Sequence, residues 1–115
     1  MPEPKGIVGI IITWNGPLIS LCMKVVPALA AGNCCVIKPA ELTPFAPDLF
    51  ATLCREAGIP DGVVSILPGT GEAGQALVAH PLIKAVGFTG STGGGRALFD
   101  IAVSRPEPIP LHGEL

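Results

Sequence analysis

Segments with the period of a β-strand alternate with segments of helical period along this chain, and no other feature restricts its fold as strongly. Each apolar or β-branched run is followed by apolar residues at helical spacing. Gly32 and Gly58 are predicted to end the first two helices, and Pro27 to kink the first. Repeated strand–helix units predict an α/β fold, a parallel sheet with helices on both faces. The predicted strands are 7–13, 34–37, 63–67, 85–88 and 109–114, and the predicted helices are 17–31, 47–57, 72–79 and 92–104.

Composition is consistent with strands that are buried on both sides. The 115 residues are enough for one domain, 49% of them are hydrophobic, and only 14% are charged. We expect both doubly buried strands and some apolar surface that meets further partner segments. A net charge of −2 without a basic cluster argues against nucleic acid as a partner.

The uncharged run 6–23 raises the question of a membrane helix. A turn signal at 14–17 interrupts that run and Lys24 closes it, which favours a buried strand followed by a helix. The start of the chain has no signal-peptide pattern. The four cysteines lack metal-ligand spacing, and adjacent Cys34 and Cys35 are typical of small buried side chains in a strand, so we expect a reducing cytoplasm and no zinc.

Two glycine-rich stretches could each hold a phosphate at the start of a helix. The first, PGTGEAG (68–74), fits the G-x-G-x-x-G dinucleotide pattern and follows a predicted strand. That pattern requires an acidic residue about 20 positions later, and 85–98 contains none. Glu72 would also repel a pyrophosphate inside the turn. An ordinary strand-to-helix turn is therefore the favoured interpretation.

The second stretch, GFTGSTGGGRAL (87–98), nearly fits a P-loop because Gly90 and Gly95 are separated by four residues. Arg96 and Ala97 then occupy the positions that require Lys and Ser or Thr, which excludes that motif. Ser91 is predicted to cap the following helix. From the residues alone, phosphate binding and a plain turn stay open alternatives.

Six motifs, in the same order and spacing, resemble the aldehyde dehydrogenase superfamily over essentially the whole chain. The resemblance implies one partial, Rossmann-like NAD-binding domain over 1–115, with the catalytic and oligomerisation segments of a longer enzyme absent. Residues 85–115 are similar to the α-ketoglutaric semialdehyde dehydrogenase branch. The motifs are ITWNGP (12–17), ALAAGN (28–33), VIKPAELTP (36–44), EAGIPDGV (56–63), GFTGST (87–92) and EL (114–115).

The resemblance implies two catalytic residues in this chain. Asn15 matches the amide that donates to the oxyanion, and Glu114 matches the general base. None of the four cysteines matches the nucleophile, which in the family lies beyond the position of Leu115. We therefore expect this chain alone to be inactive. Gly16 and Thr13 replace a usual aromatic residue and a usual proline, so the substrate wall is predicted to be more open.

The same resemblance implies a cofactor site for NAD, with NADP possible. Lys38 and Glu41 match the residues at the adenosine ribose, and Gly90 and Ser91 match those at the pyrophosphate. A carboxylate at position 41 accepts a hydrogen bond from a ribose 2′-hydroxyl but repels a 2′-phosphate, whereas Lys38 would accept that phosphate, and on balance NAD is expected. The remaining expected cofactor residues are Ile12, Thr13, Trp14, Gly71 (near the adenosine), Thr89, Gly95 and Leu115.

The implied activity is NAD(P)-dependent oxidation of a small aldehyde to a carboxylic acid, in an enzyme that forms a homo-oligomer. Two alternatives stay open. One is a nucleotide-binding module without catalysis of its own. The other is a related acylating or phosphate-dependent reductase, which the presence of Glu114 disfavours.

Overall fold

The computed structural model describes residues 6–12, 17–39 and 45–114. Within these residues, strands and helices alternate as the sequence predicts. No helix among them combines the length and the apolar character that crossing a membrane requires. The elements are β1 (Ile7–Ile11), α1 (Pro17–Ala30), β2 (Cys34–Lys38), α2 (Phe45–Glu56), β3 (Val64–Ile66), α3 (Gly71–Ala79), β4 (Ile83–Thr89), α4 (Thr92–Ser104) and β5 (Leu111–Glu114).

The five strands form one sheet in the order β3-β2-β1-β4-β5, and every neighbouring pair is parallel. The chain proceeds from β1 outward to β3, and then returns to place β4 on the other side of β1. The direction of winding therefore reverses between β1 and β4. In open α/β sheets, such a reversal opens a crevice at the carboxyl ends of the two strands.

Helices cover both faces of the sheet, which confirms the predicted fold class. Alternate residues of β1 point to opposite sides, so Ile11 belongs to one apolar cluster and Ile10 to the other. The cluster around Ile11 includes Leu77 of α3 and Leu98 of α4. The cluster around Ile10 includes Val25 of α1, with α2 packed over it.

Glycine ends α1 and α2 where the sequence predicts. The amide of Asn33 donates to the carbonyl of Ala28 at 3.0 Å, and that of Gly32 donates to Leu29 at 2.9 Å. Gly32 has a φ of +89°, which an L-residue with a side chain adopts only with strain. An equivalent pair of hydrogen bonds ends α2 at Gly58.

Of the two helix predictions that involve a proline, one is not tested by the structure and one needs correction. The first helix continues through Pro27 and ends at Ala30, and its predicted kink stays a prediction. The second helix begins at Phe45, two residues before the predicted start at Pro47. A proline in the first turn costs little, because the amide it lacks would have had no partner within the helix.

The boundaries of the last two strands also need correction. β4 extends beyond the predicted 85–88 at both ends, because it pairs with β1 on one side and β5 on the other. β5 begins at Leu111 rather than at position 109. Ile109 is a core residue whose amide donates to the carbonyl of Ala102 at 3.3 Å, so it packs against α4 instead of joining the sheet. The remaining element ends lie within two residues of the predictions, and several coincide with them, including both ends of α4.

Candidate functional site

The candidate site lies at the carboxyl edge of the sheet, where a parallel sheet places the ends of all its strands together. Ile12 directly follows β1, Lys38 ends β2, and Thr89 ends β4. Ile11 is in register with both Lys38 and Phe88, so the ends of these three strands are level. The structure thus brings the described candidates of three strands to the crevice where the winding reverses.

Ile12 and Lys38 form the side of this edge next to β2. The amide of Ile12 donates to the carbonyl of Lys38 at 3.3 Å. The Ile12 side chain belongs to the apolar cluster under α1, and only 7% of Lys38 is exposed. Lys38 is therefore largely packed at the carboxyl end of β2.

Thr89 carries the most informative single atom of the site. Its hydroxyl Oγ1 is buried and makes no hydrogen bond to the described residues. An unpaired buried hydroxyl costs about 1–3 kcal/mol, so this atom is open to a partner other than the described residues. In β4, Thr89 is in register with Glu114 of β5, whose backbone therefore lies at the same edge.

The turn after Thr89 begins α4 with features that suit an anion. Ser91 caps the helix, as predicted, with its Oγ accepting from the amide of Gly94 at 3.1 Å. Helix geometry leaves the amides of Thr92 and Gly93 without a partner inside the helix. The first turn of α4 contains no acidic residue, so the positive end of the helix dipole is not offset there.

Two glycines of this turn let its backbone pack closely against the end of β4. A methyl group at Gly90 would lie 2.6 Å from Cζ of the Phe88 ring, so the ring occupies the space a side chain would need. Gly95 is buried, and its amide donates to the carbonyl of Ser91 at 2.9 Å. Both residues thus keep the turn compact against the end of β4.

The other glycine-rich turn begins α3, and the predicted strand-to-helix turn is confirmed there. Thr70 caps the helix by accepting from the amide of Glu72 at 3.3 Å. Gly69 has a φ of +144°, and a methyl group there would meet Cβ of Ala73 at 2.8 Å. Gly71 is the first residue of α3 and faces open space. Glu72 places a carboxylate in the first turn of this helix.

Five expected site residues lie outside the described part of the chain, namely Thr13, Trp14, Asn15, Glu41 and Leu115. Glu114 lies in β5, but its side chain is not described. The fit of a dinucleotide therefore depends on the start of α4, on Thr89 and on Lys38. The buried Thr89 hydroxyl, which has no partner among the described residues, and the two helix amides fit a phosphate-bearing ligand, and Lys38 lies at the same edge of the sheet, two strands away.

The described cysteines lie away from this edge. Cys35 is 1% exposed within the cluster under α1, and burial, with smaller contributions from Cys34 and Cys54, raises its pKa to about 11. Burial also raises the pKa of Cys54. A raised pKa keeps a thiol protonated at neutral pH, so these are poor nucleophiles. Among the described residues, no three His, Cys, Asp or Glu side chains are grouped to hold a metal ion.

Two features around α4 could not be recognised from the sequence. An open groove of about 380 Å³ separates the first turns of α4 from β5, and it depends on where β5 is placed. Arg105 is buried and donates to backbone carbonyls. Because every residue has a carbonyl, no sequence pattern identifies these acceptors. The groove is lined by Thr92, Gly95, Arg96, Phe99, Leu111 and Gly113.

Comparison with known proteins identifies the family. The sequence profile of the aldehyde dehydrogenase family matches residues 1–112. A 3,6-anhydro-α-L-galactose dehydrogenase of Streptomyces coelicolor is 46% identical over 111 residues, which are 96% of this chain and 23% of that protein. Human cytosolic 10-formyltetrahydrofolate dehydrogenase is 49% identical over 96% of this chain and 12% of its own.

A solved structure agrees with the sequence relatives. The NAD-dependent benzaldehyde dehydrogenase of Corynebacterium glutamicum superimposes with a TM-score of 0.92 at 41% identity, over 98% of this chain and 25% of that one. The chain thus spans a quarter or less of the length of these relatives. Sequence and fold lead to one conclusion: this chain belongs to the aldehyde dehydrogenase family.

Proposed function

We propose that the chain is the dinucleotide-binding section of an NAD(P)-dependent enzyme that oxidises an aldehyde to a carboxylic acid. The observation that carries this proposal is the start of α4 at the reversal of the sheet, next to the unpaired hydroxyl of Thr89. A helix start with free amides in this crevice is where α/β sheets bind nucleotides. Family membership supplies the reaction class.

In this proposal the pyrophosphate binds at Gly90 and Ser91, with the free amides of the first turn of α4 as donors. Thr89 supplies a further hydroxyl, and Gly95 keeps the turn compact. The adenosine ribose binds at Lys38 and Glu41. The remaining cofactor contacts are assigned to Ile12, Thr13, Trp14, Gly71 and Leu115.

NAD is the preferred cofactor in this proposal, and NADP is the second. The buried position of Lys38 suits a ribose hydroxyl or a phosphate equally well. The discriminating group is therefore the carboxylate of Glu41, which accepts from a 2′-hydroxyl and repels a 2′-phosphate. The named C. glutamicum relative is NAD-dependent, which is consistent with this choice.

The bound nicotinamide would supply the hydride acceptor, and the chain's own groups manage charge and protons. The Asn15 amide donates to the oxyanion that forms when a thiolate from outside this segment attacks the aldehyde carbonyl. Glu114 takes a proton from the water that hydrolyses the resulting thioester. Glu114, at the end of β5, is in register with Thr89, so we assign Glu114 and the Thr89 hydroxyl to the same crevice.

A binding module without catalysis is the second candidate for these residues by themselves. Its support is the state of the described thiols, since Cys35 and Cys54 are buried and their pKa values are raised. An acylating or phosphate-dependent reductase has no observation in its favour, and Glu114 argues for hydrolysis. The two leading candidates share the same nucleotide site.

The test compares one charge introduced at each of the two helix starts. Aspartate caps helices as well as serine or threonine does, so Ser91→Asp and Thr70→Asp keep their caps while adding a negative charge. We expect Ser91→Asp to weaken ADP and NAD binding by about tenfold or more, and Thr70→Asp by less than about threefold.

Isothermal titration calorimetry of the chain with NAD and with ADP measures both effects. Circular dichroism shows whether each variant retains the helical content of the unmodified chain. A larger loss of affinity in Thr70→Asp than in Ser91→Asp would mean that the phosphate binds at the α3 turn. Equal and negligible losses would refute the proposed site.

A further inference from the structure

Arg105 is a buried cation at the edge of the sheet opposite the candidate site. It caps the end of α4 and is only 8% exposed. Its guanidinium donates to three backbone carbonyls, at 2.8 Å to Ile83, 3.3 Å to Val78 and 3.3 Å to Pro81. Burying a guanidinium is costly unless its donors are satisfied, so these three hydrogen bonds hold the side chain in this one position.

The three carbonyls mark the junction between α3 and β4. Val78 lies in the last turn of α3, where helix carbonyls have no partner within the helix and the dipole is negative. Pro81 belongs to the turn that follows, and Ile83 begins β4. One side chain from the end of α4 therefore holds the end of α3 and the start of the next strand.

The starts of these two helices carry the proposed ligand contacts. Both helices cover the same face of the sheet and contribute to one apolar cluster. At 1.5 Å per residue, α3 is about 13 Å long and α4 about 20 Å. An anchor at their far ends limits how α3 can tilt or slide against α4, and hence the separation of Gly71 from Ser91.

We propose that Arg105 is a positioning residue for the dinucleotide. It fixes α3 relative to α4, so that the adenosine near Gly71 and the phosphates at Ser91 are bound together. This inference rests on the proposed function. It predicts that loss of Arg105 impairs a ligand that spans both helix starts, while a ligand that touches only the start of α4 is unaffected.

ADP and inorganic pyrophosphate make that distinction. ADP carries adenosine and phosphates, whereas pyrophosphate requires only the α4 turn. Calorimetric titration of the 115-residue chain should show ADP binding about tenfold weaker in Arg105→Met, with pyrophosphate binding changed by less than about twofold. In Arg105→Lys the ammonium retains the charge, but one nitrogen replaces the two that donate to these carbonyls, so only part of the ADP affinity should return.

Arg55→Met is the matched control. Arg55 is an exposed arginine in the last turn of α2, and it donates to Thr52 Oγ1 at 3.3 Å. The Arg55→Met substitution removes a guanidinium from a helix on the opposite face of the sheet. Both ligands should therefore bind as they do to the unmodified chain. If Arg105→Met does not fold by circular dichroism, Arg105→Lys becomes the test, with ADP weakened by about threefold and pyrophosphate unchanged.

The outcomes separate this inference from the proposed function. If the unmodified chain binds neither ligand, or if Ser91→Asp has no effect, the proposed function fails and this inference with it. If Ser91→Asp weakens both ligands but a folded Arg105 variant keeps the original ratio of ADP to pyrophosphate affinity, only the role of Arg105 is overturned. An equal loss for both ligands would indicate a purely structural residue.

Discussion

The two glycine-rich turns of this protein are alike in local structure and differ in where the sheet places them. Each follows a strand, and each begins a helix with a hydroxyl cap, Thr70 for α3 and Ser91 for α4. The α3 turn matches the dinucleotide pattern letter by letter, yet it follows β3, which is the outermost strand on its side. The α4 turn matches no standard pattern, but it follows β4 at the reversal of winding.

Under the proposed assignment, position in the sheet carries more information about a ligand than glycine spacing does. Glycine spacing reports only that the backbone can turn closely, and both turns meet that condition. The reversal between β1 and β4 sends their following helices to opposite faces, which opens space at the strand ends. Only beside the α4 turn does the described chain also have a buried hydroxyl without a partner, that of Thr89.

The largest expected effect separates binding from chemistry at the α4 turn. If that turn only holds the cofactor, the chain should bind NAD but produce no NADH from a simple aldehyde. Part of the physical reason is the environment of two thiols, since the pKa of Cys35 is raised to about 11 and that of Cys54 is also raised. Absorbance at the NADH band, at neutral pH with acetaldehyde or benzaldehyde, measures the rate.

The control for this experiment is Cys54→Ala, which should behave as the unmodified chain does. Turnover that Cys54→Ala or Cys22→Ala abolishes would show that one of these cysteines is a nucleophile. Because ionisation of Cys35 requires pH values approaching 11, its alkylation by iodoacetamide should also stay slow until that range. Rapid alkylation at neutral pH would contradict the buried environment.

The next effect contrasts one methyl group at each turn. Gly90→Ala would force Cβ to within 2.6 Å of the Phe88 ring, which is itself buried. Displacing a packed ring costs about 1–3 kcal/mol, so the free energy of unfolding in urea should fall by that amount. Gly71→Ala meets nothing within 4 Å and should leave stability unchanged or raise it by up to about 1 kcal/mol. Equal losses in both variants would remove the steric difference between the two turns.

Much of the fold could be predicted from the sequence because its signals are local. Helix spacing and a serine cap define α4, which the structure reproduces from Thr92 to Ser104. Glycines 32 and 58 end their helices through backbone hydrogen bonds that only a nearby stretch of chain determines. Alternating periods likewise predict a parallel sheet, because parallel strands require a crossover between them.

The strand order and the groove beside β5 could not be predicted in this way, because they depend on contacts between distant segments. Ile109 shows the difficulty, since its apolar character suits a strand as well as it suits the core position that it occupies under α4. The partners of Arg105 are carbonyls, which every residue has, so no sequence pattern reveals them. For the candidate site, the sequence indicated Ser91 as a cap, but the unpaired hydroxyl of Thr89 required the structure.

The smallest expected effect tests why phosphate is assigned to the α4 turn and not to the α3 turn. The cause is either the negative charge of Glu72 in the α3 turn or the position of each turn in the sheet. Glu72 and Gly93 are both the second residue of their helices. Glu72→Gln removes a carboxylate from the positive end of α3, which should lower the free energy of unfolding by about 0.3–1 kcal/mol. Gly93→Ala adds a methyl group in open space and should raise it by about 0.5–1 kcal/mol. If position in the sheet decides, Glu72→Gln should bind ADP at one site, within about twofold of the original affinity. A second ADP site in Glu72→Gln, seen as a calorimetric stoichiometry of two, would instead show that the charge of Glu72 had kept phosphate away from the α3 turn.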